Sequence, residues 1–191
     1  ILDRLTKLTY TDGEVVSYTY DVNSGLLEHV KGLSPQGTVP YVQDITYNAK
    51  GQIKNIKYGN NTQTNYTYGQ DLRLSNILTQ GLTTLQDLNY DFDKNGNIIT
   101  LYDTLRDNYR QFTYDDLDRL TYAQNLPNPA GGYTNFSYQY DSIGNMTYKS
   151  DMGVMQYGEG LSPQGTVPKP HALTQAGGYT YQYDVNGNMT Q

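Results

Sequence analysis

One short motif recurs along this chain and constrains its fold more than any other feature. Its clearest copy is Tyr-Asp-Val-Asn-Gly-Asn-Met-Thr at residues 183–190, and close copies occupy residues 140–147 and 92–99. Aromatic and polar residues alternate before each turn, which is typical of a strand with its rings on one face. Asp at the first and Gly at the fourth turn position suit a type I turn, because Asp accepts a backbone N–H and Gly tolerates positive φ. We therefore expect the turn glycines, which are Gly96, Gly144 and Gly187, to have positive φ or to lie beside a residue that has it.

Weaker copies of the motif begin at tyrosines 20, 47, 68 and 114. Asn48 replaces the turn Asp in one copy and Asp118 replaces the glycine in another, and both residue types tolerate the left-handed region. The copy at residues 20–25 has one extra residue before its glycine, and the copy at residues 68–74 has lost most of the turn signature. The repeat-signature residues are Tyr20, Asp21, Tyr47, Gly51, Phe92, Asp93, Gly96, Tyr114, Asp115, Tyr140, Asp141, Gly144, Tyr183, Asp184 and Gly187.

The spacing of the copies predicts one β-hairpin per repeat. The first aromatic residues stand at positions 20, 47, 68, 92, 114, 140 and 183, so the intervals are 27, 21, 24, 22, 26 and 43 residues. An interval in the low to mid twenties accommodates two strands of ordinary length with their connections. The long last interval has room for a degenerate repeat marked by Tyr157. We therefore predict a single array of about seven to eight repeats over residues 1–191, starting and ending within a repeat.

The Tyr-Asp turns resemble the Rhs/YD-repeat family of bacterial polymorphic toxins, insecticidal toxin complexes and animal teneurins. The resemblance covers nearly the whole chain, since Asp-Arg-Leu-Thr at residues 3–6 matches the same four residues at 118–121. It implies an all-β fold in which successive hairpins form a long, twisted antiparallel sheet that spirals into part of a hollow shell or tube. The implied function is a structural, non-catalytic scaffold or encapsulating shell segment of a secreted or cell-surface protein.

The same resemblance implies which partners to expect. They are copies of the chain itself or further repeats of the same polypeptide, together with an encapsulated toxin domain, in an extracellular or cell-surface location. Terminal strands that lie within repeats present unpaired backbone groups, which favours a longer array or end-to-end joining of copies.

Composition and charge exclude several other classes of protein. The net charge of −6 and the pI near 4.7 argue against a nucleic-acid partner, because the 13 basic residues are dispersed. The sequence has no run of 18 apolar residues, so it predicts no membrane-spanning helix. The chain has no Cys, and His29 and His171 lack the neighbours of a metal site. The Asp-rich turns lack the EF-hand spacing, and no nucleophile elbow or phosphate loop occurs. We therefore expect no enzyme, no cofactor and no metal.

The tyrosine content leaves a second function open. The chain has 21 Tyr but only three Phe and no Trp. Tyrosine stripes stabilise a sheet through cross-strand contacts. Exposed Tyr beside Asn and Asp also suits sugars, because rings stack on pyranose faces while amides and acids bind hydroxyls. The alternative function is therefore an extracellular binding module for glycans or a receptor.

One duplication does not follow the repeat period. Residues 32–40 read Gly-Leu-Ser-Pro-Gln-Gly-Thr-Val-Pro, and residues 160–168 repeat this sequence without a change. Two Pro and two Gly in each copy disfavour the interior of a strand or helix. Both segments are therefore predicted to be exposed loops, and removal of the second should leave the sheet folded.

Overall fold

A computed structural model describes residues 3–34, 37–127, 131–158, 160–162, 165–167, 170–184 and 186–190. Over these residues the chain forms strands and turns, with no helix and no candidate membrane-spanning helix. The strands are β1 (Lys7–Thr9), β2 (Val15–Tyr20), β3 (Leu27–Ser34), β4 (Gly37–Tyr47), β5 (Ile53–Tyr58), β6 (Gln63–Tyr68), β7 (Leu74–Gln80), β8 (Thr84–Phe92), β9 (Ile98–Asp103), β10 (Asn108–Tyr114), β11 (Leu120–Pro127), β12 (Tyr133–Tyr140), β13 (Met146–Lys149), β14 (Gly153–Val154), β15 (Gln156–Tyr157), β16 (Gly160–Ser162), β17 (Gly165–Val167), β18 (Leu173–Ala176) and β19 (Tyr179–Thr180).

The sheet topology follows the order of the sequence. Strands β1 to β14 form one 14-stranded antiparallel sheet in which each strand lies beside its sequence neighbours. Strands β15, β18 and β19 form a small second sheet, and β16 pairs with β17 alone among the described residues. The prediction of an all-β hairpin array is therefore confirmed.

The chain divides into two compact units. One consists of Ile1–Asp91 with Leu101–Asn108, and the other of Phe92–Thr100 with Tyr109–Gln191. The first unit contains the hairpins built from β1 to β7. The second contains those built from β11 to β14 and the small sheet of β15, β18 and β19. Each unit repeats the same local hairpin geometry.

Two kinds of connection alternate along the chain. The repeat turns are the motif segments that follow the signature aromatic residue, at residues 21–26, 48–52, 69–73, 93–97, 115–119, 141–145 and 184–188, the last without residue 185, which lies outside the described residues. The hairpin tips are the connections at the other ends of the strands, for example at residues 59–62 and 81–83. The strands of the 14-stranded sheet differ in length, for example six residues in β5 and 11 in β4. The uneven repeat interval thus comes mainly from the strands and tips, with one further residue from the first repeat turn.

A β-bulge accompanies the signature aromatic residue. The pairing register shifts immediately before Tyr20, Tyr47, Tyr68, Tyr114 and Tyr140. A type I turn followed by a left-handed residue produces this kind of bulge in hairpins. Positive φ at the predicted turn glycines is confirmed, with values of 103° at Gly96, 96° at Gly144 and 90° at Gly187.

The apolar core is small. Among the described residues, the buried apolar side chains are Val16, Ile45, Ala123, Met155 and Ala176. The chain exposes 12735 Å², whereas a compact monomer of its mass exposes about 9,200 Å². Most strand side chains are half-buried, so hydrophobic burial alone contributes less stability than in an ordinary globular domain.

The prediction that the duplicated segments are loops is wrong. In the first copy, Leu33 pairs with Thr38 and Ser34 with Gly37 in the β3–β4 hairpin. The second copy repeats this register in β16 and β17, where Leu161 pairs with Thr166. The residues between the paired arms, 35–36 and 163–164, lie outside the described residues.

The prolines misled the prediction because a proline can occupy a strand where the ladder is interrupted. The register between β3 and β4 shifts next to Pro40: Val30 pairs with Val42, but Lys31 pairs with Pro40. The residue that is skipped, Tyr41, forms a bulge, and the missing N–H of Pro40 is tolerated beside it. Pro168 lies outside the described residues.

The two copies allow a matched deletion experiment. Deleting residues 160–168 should leave the thermal midpoint almost unchanged, because β16 and β17 pair only with each other in the described part of the chain. Deleting residues 32–40 should lower the midpoint by several degrees, because Gly32 and Leu33 also pair with Val16 and Val15 of β2; each kcal/mol lost corresponds to roughly 2–4 °C. Circular dichroism melts measure both, and equal losses would contradict the difference in context.

Candidate functional site

The repeat turns share one backbone pattern. In the turn at residues 93–97, the N–H of Asp93 donates to the carbonyl of Asn97 at 2.9 Å, and the N–H of Gly96 donates back to the carbonyl of Asp93 at 3.3 Å. The same two bonds recur in the turns that begin at residues 48, 69, 115, 141 and 184. In the first turn, which has one extra residue, the N–H of Asp21 donates to the carbonyl of Leu26, and the N–H of Gly25 donates to the carbonyl of Asp21. The same two bonds also close the hairpin tips at residues 10–14 and 58–62, so the closed five-residue loop is not confined to the signature turns.

In the four turns that begin with Asp93, Asp115, Asp141 and Asp184, the Asp binds the turn with both carboxylate oxygens. Oδ1 of Asp141 accepts the N–H groups of Ile143 and Asn145 at 3.0 and 2.9 Å. Its Oδ2 accepts the side-chain Nδ2 of Asn145 at 2.8 Å. The pairs Asp93–Asn97 and Asp184–Asn188 are bonded in the same way. We call the fifth turn residue, which makes this side-chain bond, the exit residue.

The exit residue was missed by the sequence analysis, although its pairing with the first residue is visible in the sequence. Asn is found at this position after Asp in three turns. Where the first residue is Asp115, the exit residue is Arg119, whose Nε donates to Oδ2 at 2.8 Å. Where the first residue is Asn48, the exit residue is Gln52, and the bond is reversed, with Nδ2 of Asn48 donating to Oε1.

These hydrogen bonds lower the pKa of the turn carboxylates. The side-chain bond from the exit residue is the largest cause for Asp93, Asp115 and Asp184. For Asp141, partial burial acts in the opposite direction, but the bonds from Asn145 and the turn backbone leave the pKa lowered. In the first turn, the Ser24 hydroxyl is the largest cause of the lowered pKa of Asp21.

Exit residues also connect successive turns within each unit. In the first unit, Nε2 of Gln52 donates to the carbonyl of Leu72 at 2.9 Å. In the second, Nδ2 of Asn97 donates to Oδ1 of Asp118 at 2.7 Å, and Nη1 of Arg119 donates to the carbonyl of Asp141 at 2.9 Å. The exit residues of these three turns are thus bonded both within their own turn and to the next one.

The glycine position keeps its backbone conformation when glycine is absent. Asp118 has a φ of 59°, and Leu72 has a φ of 65° in the turn that has lost most of its signature. Leucine is strained in this region. Oδ1 of Asp71 accepts the N–H of Arg73 at 3.2 Å, which provides local support for the turn. The geometry therefore persists in a turn that sequence reasoning could identify only weakly.

Signature tyrosines form the second part of the site, a tyrosine ladder. Each hydroxyl donates to a backbone carbonyl at, or just before, the start of an earlier strand. The donor–acceptor pairs are Tyr20–Leu5, Tyr47–Leu27, Tyr68–Ile53, Tyr114–Ile98, Tyr140–Leu120 and Tyr183–Leu173, at 2.7 to 3.0 Å. The acceptor usually comes directly after an exit residue. The ladder therefore ties each strand end to the preceding repeat turn.

The surroundings of the ladder favour neutral phenols. Burial raises the pKa of Tyr47, Tyr68, Tyr114 and Tyr140. Because a phenolate cannot donate the hydroxyl proton, ionisation would also break the bond to the carbonyl. Arg119 lies 4.8 Å from the ring centroid of Tyr140, and the matching Arg4 lies 5.2 Å from that of Tyr20. These cation–π contacts reinforce the ladder at two repeats.

The chemistry of these groups is structural. The turn carboxylates are occupied by backbone and amide donors, and the ladder hydroxyls by carbonyls. Nδ1 of His29 is bonded to the carbonyl of Gln43 at 2.6 Å, and Nδ1 of His171 lies 2.7 Å from Oδ1 of Asn145. Within the described ranges, no group of three His, Asp or Glu side chains could hold a metal ion.

Comparisons with known proteins agree with this geometry. No family model matches the chain. The chain is 29% identical over 164 residues to toxin subunit YenC2 of Yersinia entomophaga, covering 78% of this chain and 15% of that protein. It is 27% identical over 177 residues to toxin subunit YenC1 of the same organism, covering 73% and 18%. The chain thus spans less than a fifth of the relatives it matches.

Solved structures show the same fold. The crystal structure of TcdB2-TccC3 matches with a TM-score of 0.67 at 22% identity, over 96% of this chain and 12% of that one. A Photorhabdus luminescens Tc holotoxin pore also matches with a TM-score of 0.67, at 21% identity over 97% of this chain.

The repeat turns and the tyrosine ladder define the class of protein as a YD-type β-hairpin array. The similarity to toxin-complex subunits then confirms the resemblance to the Rhs/YD-repeat family that the Tyr-Asp motif indicated.

Neighbouring carboxylates in one turn provide a pH test. Asp115→Asn replaces the oxygen that faces Arg119 with a donor, so it should lower the urea midpoint near neutral pH. Because the pKa of Asp115 is lowered in the folded chain, this carboxylate is protonated first in the unfolded chain as the pH falls. The stabilisation of the fold by Asp115 is therefore complete above about pH 5 and is lost as the pH falls below about 4. The variant should therefore change less than the wild type between about pH 7 and pH 3.

Asp116→Asn is the control. This exposed side chain has no hydrogen-bond partner in the part of the chain that the structure describes. Its midpoint and pH profile should follow the wild type. Identical behaviour of the two variants would show that the turn bond to Arg119 does not stabilise the fold.

Removal of one ladder hydroxyl should have a measurable cost. Tyr140→Phe deletes the 2.9 Å bond to the carbonyl of Leu120 and should lower the free energy of unfolding by about 1 kcal/mol, seen in denaturant melts. Tyr179→Phe is the matched control, because that side chain is 72% exposed. Equal stability of the two variants would refute a stabilising ladder.

Proposed function

We propose that the chain is a structural, non-catalytic segment of the shell of a secreted or cell-surface Rhs/YD-repeat protein. The observation that carries the proposal is the use of the signature side chains. Turn carboxylates and ladder hydroxyls bond to the protein's own backbone and amides in repeat after repeat. Groups engaged in this way maintain a wall and are poorly placed to act on a substrate.

The relatives support a toxin-associated role. YenC1 and YenC2 are toxin subunits, and the structural neighbours include a holotoxin. We infer that this chain acts beside further repeats of the same polypeptide or copies of itself, around an encapsulated toxin domain. A small apolar core is compatible with a wall whose two faces both meet other material.

Protease protection tests the proposal. The reading frame that contains this chain is expressed whole and digested under native conditions. If the repeats form a protective wall, segments outside the array should resist digestion, and a Tyr140→Phe/Asp115→Asn double variant should shorten that protection. The Tyr179→Phe/Asp116→Asn double variant controls for loss of the same two chemical groups at exposed positions.

Two outcomes would count against a protective, non-catalytic shell. One is equal digestion of the segments outside the array in the two double variants. The other is turnover of a substrate by the isolated, folded chain in a broad hydrolase and transferase screen, provided that the activity is abolished by a change in a single exposed side chain.

A further inference from the structure

A cleft in the first unit has a lining unlike that of the repeat turns. Its volume is about 770 Å³, within the range of about 300–1,000 Å³ usual for small-ligand sites. Strands β4 to β8 contribute to its lining, which includes Tyr58, Asn60, Thr64, Tyr66, Thr79 and Gln86.

Tight backbone packing forms one side of this cleft. The N–H of Gly59 donates to the carbonyl of Tyr41 at 3.0 Å. A Cβ on Gly59 would lie 1.6 Å from the carbonyl oxygen of Pro40, so only glycine allows this approach. The Pro40–Tyr41 segment of β4 and the residue after β5 are therefore packed against each other beside the cleft.

The tyrosines of the cleft differ from those of the ladder. Tyr58 and Tyr66 are half-buried, but their hydroxyls have no hydrogen-bond partner in the described structure, whereas those of Tyr47 and Tyr68 donate to carbonyls. Two rings with free hydroxyls combine an apolar surface with donors and acceptors.

The remaining polar groups of the cleft are neutral. Oγ1 of Thr64 lies 2.9 Å from Oγ1 of Thr79, which in turn donates to Oε1 of Gln86 at 3.3 Å. Oδ1 of Asn60 accepts the hydroxyl and the N–H of Thr62. No Asp, Glu, Lys or Arg is among the described residues that line the cleft. Its chemistry therefore suits an uncharged ligand rich in hydroxyl groups.

A peptide strand fits the cleft less well. Peptides that add to a sheet need an open strand edge for backbone hydrogen bonds. Strands β4, β5, β6 and β7 each have a paired neighbour on both sides. Recognition must therefore come from side chains on the face of the sheet, through ring stacking and hydroxyl or amide bonds.

We propose that this cleft binds a neutral saccharide, with pyranose faces on Tyr58 and Tyr66 and hydroxyl groups bonded to the threonine and amide side chains. This site is independent of the turn carboxylates and the ladder hydroxyls. Its occupancy can therefore be tested separately from a shell function.

The test is a binding titration with the folded chain. Saturation-transfer NMR is recorded with neutral hexose and N-acetylhexosamine oligosaccharides, with sulfated and sialylated oligosaccharides and an uncharged extended peptide as competing probes. Neutral sugars should bind and show contacts to tyrosine ring protons in the wild type. Binding only of the anionic sugars or the peptide, or no binding at all, would overturn the proposal.

Variants locate the binding site. Tyr58→Ala and Tyr66→Ala should each weaken neutral-sugar binding by about tenfold, which corresponds to loss of one stacking contact. Tyr66→Phe should keep most of the affinity, because the ring remains. Tyr10→Ala, at an exposed tyrosine outside the cleft, is the control and should bind like the wild type.

Folding of each variant is checked by circular dichroism. If an alanine variant fails to fold, the neutral-sugar affinity of Gln86→Leu and the wild-type contacts to tyrosine ring protons show instead whether the sugar binds in the cleft. Wild-type affinity in all folded cleft variants would show that the sugar binds elsewhere and would refute this site.

Discussion

A carboxylate that accepts backbone N–H groups is the interaction on which the repeat depends. In the turn at residues 141–145, Oδ1 of Asp141 satisfies two N–H groups that the tight bend leaves unpaired, and Oδ2 binds the side chain of Asn145. The exit side chain then extends the effect beyond its own loop, as Arg119 does when it donates to the carbonyl of Asp141. Bonds shared between neighbours make the conformation of one turn depend on the next, as in other repeat arrays.

The tyrosine ladder complements these turns because one side chain provides both half-buried apolar area and a directed hydrogen bond. A chain with few buried aliphatic side chains gains little from hydrophobic burial. Tyrosine rings that lie along a strand and donate a hydrogen bond to a carbonyl add stability where the apolar core is thin. Tyrosine is therefore favoured at the ladder positions, since phenylalanine there provides the ring without the hydrogen bond. Phe92 is the signature position where the hydroxyl is absent.

Much of the fold followed from the sequence, because the Tyr-Asp-x-x-Gly spacing states both the turn and the strand that leads into it. The positive φ of Gly144 is a direct consequence of that spacing. The exit residues were not recognised, because an Asn after a turn has the same local pattern whether it faces solvent or its own Asp. The role of Asn97 depends on the position of Asp118, which is distant in sequence. The cleft could not be predicted from the sequence either, because its lining combines residues from five strands.

The alternation of fixed turns and variable hairpin tips has a consequence for how such a chain can change in length. The repeat turns at residues 48–52, 93–97 and 115–119 are each bonded to the next turn by a side chain, whereas the strands between turns differ in length. The identical nine-residue segments keep one register in both places although only the first belongs to the 14-stranded sheet. A hairpin extension that encodes its own pairing can therefore be copied from one repeat to another without disturbing the turns. Copying of this kind lengthens the sheet at one end of its strands and leaves the repeat turns at the opposite end unchanged.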